Sequence, residues 1–301
     1  MIPRLDARKL ASNDADAIAG MREAATVIGF ATVHSTGITA DRVLEILDLY
    51  RRFFHLPEQE KARIDMSRTG ANRGWGAAGS EQVDPTANPD YKQFFDSGFT
   101  LPATDPRSEL DVYAPNLWPD KPEAFKPEIE SYYQQACVVA MGVLRAVAKA
   151  MAVPANYFDD AFEAPMALLR GNYYPERPEW ATEQDFGIAT HTDYGCLTLL
   201  ATDGSPGLEV RKRGGGWIPV SAPPGEFIIN FGEMMEIWSK GVVKATPHRV
   251  IGTPHERLSI PLFFNPSVDT NIAPIGSGET ILAGAHLAHR FNETYVHLKQ
   301  A

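Results

Sequence analysis

The stretch ATHTDYGCLTLL, residues 189–200, decides how this chain is read. It sets His191 and Asp193 two positions apart at the head of an apolar run. In a strand, residues i and i+2 face the same side, so this spacing aims an imidazole and a carboxylate at one point. The same alternation turns Thr192 and Tyr194 to the opposite side. Cys196 goes with them and is expected to be a small buried hydrophobe.

The surroundings of this stretch have a consistent pattern. From Ala164 onward the chain breaks into short runs about ten residues apart: MALLRGNYY, GIATHTDYG, LTLLAT, GLEVRK, WIPV, EFIINF, HRVIG and RLSIPLFFN. DGSPG, RGGGW and APPGE punctuate them. Many short strands at such spacing predict an antiparallel sandwich or barrel.

A second histidine, His248 in KATPHRVIG, follows Asp193 by 55 residues and again opens a predicted strand. Two imidazoles and one carboxylate can occupy one face of an octahedral metal and leave the other face open. That is the usual arrangement in non-haem Fe(II) enzymes that activate oxygen. Zinc normally takes a tetrahedral site, and spacing alone leaves it open. Nine residues beyond His248, Arg257 and Ser259 share a strand face in ERLSIPLFFN. A guanidinium fork in a buried strand calls for an anion, and the hydroxyl adds a second donor.

The first third mixes helix and strand. IPRLD predicts a short opening strand, and apolar spacing predicts helices over Asp14–Ile28 and Thr39–Phe54. A Gly- and Asn-rich loop spans 67–80, YKQFFDSGF predicts an aromatic strand, and a long apolar helix is expected over Pro122–Met151, buried against a sheet. Helical spacing returns near the C-terminus, where His286, His289 and His297 are read as solvated or packed, with no carboxylate partner evident. His255 falls in a predicted turn.

Composition narrows the function. The 301 residues carry 44% hydrophobic and 22% charged residues, as an ordinary globular protein does. At this size about three quarters of the unfolded surface can be buried, so no covalent staples are needed. A formal charge of −10 repels phosphate backbones and argues against nucleic-acid binding. The two cysteines, Cys137 and Cys196, lack any paired spacing, which suits a reducing cytoplasm. No signal-peptide core opens the chain, and no run of about eighteen apolar residues interrupts it, so no membrane role is expected.

Seven segments in order, IPRLD, GNYYP, HTDYGCLTLL, GLEV, GGWIPVSAPPGEFIINFGEMMEIWSKG, TPHRV and RLSIPLFFNP, resemble the isopenicillin N synthase-like branch of the Fe(II)- and 2-oxoglutarate-dependent dioxygenases. The resemblance covers most of the chain. It implies a mixed α/β fold, with a double-stranded β-helix (jelly-roll) core over 164–266, an N-terminal helical and strand region over 1–120 and a C-terminal helix over 280–301, all in a single oxygenase domain.

By the same resemblance, His191, Asp193 and His248 would ligate Fe(II), and Arg257 and Ser259 would hold the distal carboxylate of 2-oxoglutarate. Asn172 and Tyr174 match positions near the cosubstrate, although packing is an alternative for both. Substrate contacts would come from Arg73, Trp75, Gln93, Phe95, Phe263 and Phe291. Leu208, Phe227, Ile228 and Phe263 are read as apolar wall. The implied reaction consumes O2 and 2-oxoglutarate, releases succinate and CO2, and hydroxylates or desaturates a small molecule. A 2-oxoglutarate-independent oxidase and a catalytically silent small-acid binder are the alternatives. A monomer or weak homo-oligomer is expected.

Overall fold

Asp14 and Thr39 start two helices by the same device, each side chain accepting a hydrogen bond from a backbone N–H of the first turn, Ala17 and Arg42 respectively. The computed structural model describes residues 1–68, 71–84, 86, 88–177, 179–182 and 187–294. Along the chain come β1 (Arg4–Asp6), α1 (Ala7–Ala11), α2 (Ala15–Glu23), β2 (Phe30–His34), α3 (Ala40–Phe54), α4 (Glu58–Lys61), β3 (Gly74–Gly76), β4 (Gln93–Gly98) and α5 (Phe125–Ala150). The second half runs β5 (Leu168–Tyr174), β6 (Ile188–His191), β7 (Leu197–Thr202), β8 (Leu208–Arg211), β9 (Trp217–Pro219), β10 (Phe227–Phe231), α6 (Glu233–Trp238), β11 (His248–Val250), β12 (Arg257–Phe264) and α7 (Ala283–Thr294).

The helix expected over Asp14–Ile28 is in fact α2 followed by a π-helical turn, Ala24–Ile28, that stops on Gly29 at φ +80. A Cβ on Gly29 would lie 2.1 Å from Thr246 Oγ1, so the position needs glycine for both the left-handed turn and the close approach. The expected C-terminal helix is described as α7, and residues 295–301, including His297, lie outside the described residues.

Two sheets face each other. The larger has the order β1-β2-β10-β7-β12-β5-β4-β3 and the smaller β6-β11-β8-β9. The N-terminal region therefore does more than back the jelly-roll, since β1 and β2 extend one edge of the large sheet and β4 and β3 the other. Helices α2, α3 and α5 cover the outer face of that sheet and share the main core with it. A smaller apolar cluster, with Phe30, Tyr174, Leu208, Val210, Ile228 and Val250, lies with the two sheets' facing strands. Period-two alternation divides the expected wall residues: Ile228 joins this inner cluster with Leu208, while Phe227 points into the helix-side core.

Candidate active site

β6 and β11 pair antiparallel with His191 directly opposite His248, which brings the two imidazole rings to a 4.3 Å centroid separation. His191 Nδ1 donates to Ala189 O at 2.9 Å and His248 Nδ1 donates to Thr246 O at 3.1 Å. Each ring is thereby fixed in the tautomer that leaves Nε2 free to ligate. Both Nε2 atoms lie 3.6 Å from Asp193 Oδ1.

The other carboxylate oxygen is committed elsewhere. Asp193 Oδ2 accepts from Asn230 Nδ2 at 2.6 Å and from Thr198 Oγ1. Asn230 of β10 and Thr198 of β7 are register partners, so two adjacent strands orient the carboxylate together. One ligand atom from each residue falls within 4.8 Å of the others.

Burial acts on all three groups. It pushes His248 down to about 4, with the neighbouring His191 adding to the effect, so this ring is neutral at pH 7. Burial would raise Asp193, yet the hydrogen bond with His191 and the charge of His248 hold it well below the ordinary carboxylate range. For His191, burial is outweighed by Asp193, and its pKa rises. A divalent cation bound here would compete with protons for the same atoms.

Here the sequence expectation needs correction. β6 ends at His191, and Asp193 lies in the connection to β7, so strand alternation is not what joins the two side chains. The turn brings Thr192 and Tyr194, expected to face away, to the wall of the same cavity. Cys196 is fully buried, its backbone N–H donating to Asn265 Oδ1 at 2.9 Å.

Arg257 and Ser259 do share one face of β12, opposite Tyr174 and Asn172 of β5. Arg257 is 2% exposed, its guanidinium lies 4.9 Å from the centre of the Tyr174 ring, and its Nε and Nη1 are buried without a hydrogen-bond partner. Asn172 Nδ2 donates to Ser259 Oγ at 3.4 Å, while Asn172 Oδ1 is buried and unpartnered. A buried guanidinium with unmet donors is costly and is the feature an anionic ligand would satisfy.

A cavity of about 220 Å³ opens beside His191 and Asp193. Its wall includes Arg73, Lys92, Arg170, Phe263, Leu287 and Phe291. Along one side runs a buried ionic chain that the sequence reading missed. Arg170 donates to both oxygens of Asp96 and to Glu81 Oε1, each at 2.7 Å; Glu81 Oε2 accepts from Lys92, and Lys92 lies 3.6 Å from Asp90. Burial would raise Glu81, but Arg170 and Lys92 hold it at about 2. Burial pushes Asp90 up to about 6 against the opposing charge of Lys92.

Of the six proposed substrate contacts, Arg73, Phe263 and Phe291 line the cavity, whereas Trp75, Gln93 and Phe95 do not. The parity of β4 explains the error. Phe94 and Asp96 pair with Asn172 and Arg170 on the inner face, so Gln93 and Phe95 point outward to the helices. Phe95 packs on Phe53 and Phe125, and Gln93 Oε1 accepts from both Trp75 Nε1 and Lys61 Nζ. The inner-face signal was present in the sequence as Lys92, Phe94 and Asp96 at i, i+2, i+4, and as Arg170 two before Asn172. Two histidines also have the carboxylate neighbours that were not evident: His286 lies 3.8 Å from Glu233 and His289 lies 3.6 Å from Glu293.

A cluster of two imidazoles and a carboxylate, and a buried arginine with unmet donors, are features an oxygenase using a keto-acid cosubstrate requires. Residues 165–266 match the 2OG-Fe(II) oxygenase superfamily, and residues 2–121 match the N-terminal region described for the non-haem dioxygenase in morphine synthesis. The chain belongs to this superfamily and is an Fe(II)- and 2-oxoglutarate-dependent dioxygenase that uses O2.

Among its relatives, a 2-oxoglutarate-dependent dioxygenase of Didymella fabae is 30% identical over 296 residues, covering 92% of this chain and 89% of that protein. Homoarginine-6-hydroxylase 2-ODD-233 of Oryza sativa subsp. japonica is 29% identical over 287 residues, covering 89% and 86%. The crystal structure of a full-length Neurospora crassa protein in complex with alpha-KG and thymine superposes with a TM-score of 0.84 at 26% identity, covering 97% and 96% of the two chains.

Proposed function

We propose that Nε2 of His191, Nε2 of His248 and Oδ1 of Asp193 hold the iron, and that Arg257 and Ser259 receive the distal carboxylate of 2-oxoglutarate, flanked by Asn172 and Tyr174. The donor set fits Fe(II): two neutral imidazoles and one carboxylate on one side, with no thiolate and no fourth protein ligand among the described residues. When bound, the iron supplies oxidative decarboxylation of 2-oxoglutarate and the oxidising equivalent for a substrate C–H bond. The chain's own residues orient these partners. Asn230 and Thr198 occupy Oδ2 of Asp193 and leave Oδ1 to face the two imidazoles, the Ala189 and Thr246 carbonyls fix the two rings, and the burial of Arg257 would keep water from the carboxylate it meets.

The primary substrate occupies the cavity beside His191 and Asp193, with Phe263, Leu287 and Phe291 against its apolar part and the Arg170–Glu81–Lys92 chain beside its polar part. A small polar metabolite suits that volume, and the names of the relatives, which include a homoarginine hydroxylase and a thymine complex, support the size and polarity class. The single observation carrying the cosubstrate assignment is the pair of unpartnered buried nitrogens on Arg257.

A cytoplasmic enzyme acting as a monomer or weak homo-oligomer on a small molecule, without nucleic acid, accords with the acidic balance and the two free cysteines. Among the described residues no helix is long and apolar enough to cross a membrane. The test is succinate release by Fe(II)-loaded enzyme across a panel of small polar nitrogen compounds that includes homoarginine and thymine. Stimulation by one or more members is expected; a panel that never stimulates turnover above the substrate-free rate counts against this substrate class.

A further inference from the structure

The segment carrying Asp193 is held from an unexpected direction. Gly232 and the first turn of α6 press on its backbone: Glu233 N donates to Asp193 O at 2.8 Å and Met234 N to Gly195 O at 3.0 Å. The Glu233 side chain then reaches two further elements. Its Oε1 accepts from Thr192 Oγ1 at 2.7 Å and from Arg290 Nη2 at 3.1 Å, and its Oε2 lies 3.1 Å from Arg290 Nε.

Arg290 belongs to α7, as does His286, whose Nε2 donates to Tyr194 O at 3.1 Å, and the Arg290 guanidinium sits 4.4 Å from the centre of the Tyr194 ring. One strip of α7 thus grips residues 192–194. The adjoining strip, Leu287, Ala288, Phe291 and Asn292, forms cavity wall. The helix that shapes the cavity is fastened to Tyr194 directly, through His286 and Arg290, and to Thr192 through the Glu233 carboxylate.

We infer that Glu233 is a positioning residue that fixes the α7 wall of the substrate cavity relative to the segment carrying Asp193. The inference rests on the reading of Asp193 as an iron ligand, but the contacts it uses exist without metal. Loss of Glu233 removes the carboxylate that Arg290 of α7 bonds and the partner of the Thr192 hydroxyl, while Asn230 and Thr198 continue to hold the carboxylate of Asp193. The expected result is a looser wall and a slightly shifted iron site, with iron binding retained.

The experiment is hydrogen–deuterium exchange on the metal-free full chain, comparing wild type with Glu233→Ala, followed by the visible spectrum of each protein with Fe(II) and 2-oxoglutarate under anaerobic conditions. Amides of residues 283–294 and of 192–196 should exchange at least tenfold faster in Glu233→Ala, those of α5 should be unchanged, and the charge-transfer band should move in wavelength while iron stoichiometry stays near one. Glu233→Gln keeps an acceptor for Thr192 and should give an intermediate result.

Arg290→Gln attacks the latch from its other end and should reproduce the α7 effect even if Glu233→Ala fails to fold. Unchanged exchange in α7 in either variant overturns the inference. Faster exchange throughout, α5 included, also overturns it, because Glu233 would then be a general fold residue. Wild-type protein that binds no iron would instead defeat the metal assignment and leave the exchange comparison to be judged by itself.

Discussion

Arg257 offers the sharpest perturbation of the cosubstrate site. Its Nε and Nη1 are buried and unpartnered, and the residue is 2% exposed. A hydrogen bond between charged groups is worth about 1.5–3 kcal/mol, and truncating one partner of a buried charge pair costs about 2–5 kcal/mol. Each 1.4 kcal/mol is about tenfold in affinity, so Arg257→Ala should weaken 2-oxoglutarate binding by roughly thirtyfold or more. Arg257→Lys should recover only part, since an ammonium keeps the charge and loses the planar pair of donors. The assay is anaerobic titration of the Fe(II) protein with 2-oxoglutarate, read by the visible charge-transfer band, with Fe(II) affinity measured separately and expected to change little. Unchanged 2-oxoglutarate affinity in a folded Arg257→Ala protein would refute the assignment and leave this arginine structural or paired with another acid.

Because 2-oxoglutarate would complete the unmet donors of Arg257, a hundredfold excess over its dissociation constant should stabilise the native state by about 2.7 kcal/mol; a melting temperature that does not rise with added Fe(II) and cosubstrate speaks against this site. Asp90 is raised from 3.8 to about 6, so its stabilising contribution is full below about pH 4 and is lost as pH rises through 6. Asp90→Asn keeps an acceptor for the Ala189 N–H and removes that pH dependence. Its stability relative to wild type should improve by up to about 3 kcal/mol between pH 4 and pH 7, and parallel curves in urea titrations at the two pH values would show that Asp90 is not the source. A Cβ on Gly232 would lie 2.4 Å from Gly195 O and 2.5 Å from Asp193 O, so Gly232→Ala should displace the Asp193 segment and lower Fe(II) occupancy; full occupancy by metal analysis would count against the role given to that packing.

Strand-period signals made the jelly-roll legible, and each of the eight runs after Ala164 contains a strand of the structure. His191, Asp193 and His248 were legible as residue types at a spacing, although the stated reason, alternation within one strand, does not hold past His191. Asp193 is aimed by Asn230 and Thr198, distant in sequence and joined to it only by the β7–β10 register. Arg257 and Ser259 could be read directly because both lie on one regular strand.

The cavity wall was less legible. Aromatic content does not say which parity of β4 faces inward, because Phe94 and Phe95 lie on opposite faces; the charged alternation of Lys92 and Asp96 carries that information. The ionic chain of Glu81, Asp90, Lys92, Asp96 and Arg170 depends on pairing between β4 and β5 and on a loop outside any periodic pattern. Glu233 and Arg290, 57 residues apart, meet only because α7 folds back over the cavity.

The central claim is that one metal centre, made by His191, Asp193 and His248, engages 2-oxoglutarate beside Arg257. It is tested most directly by titrating anaerobic, Fe(II)-loaded wild type and His248→Ala with 2-oxoglutarate, measuring iron per chain and the charge-transfer band in the same samples. The account predicts about one iron per chain and a saturable band in wild type, with both lost in a His248→Ala protein that stays folded. A folded His248→Ala protein that keeps its iron and its band, or a wild type that binds iron yet gives no band at saturating 2-oxoglutarate, would contradict it.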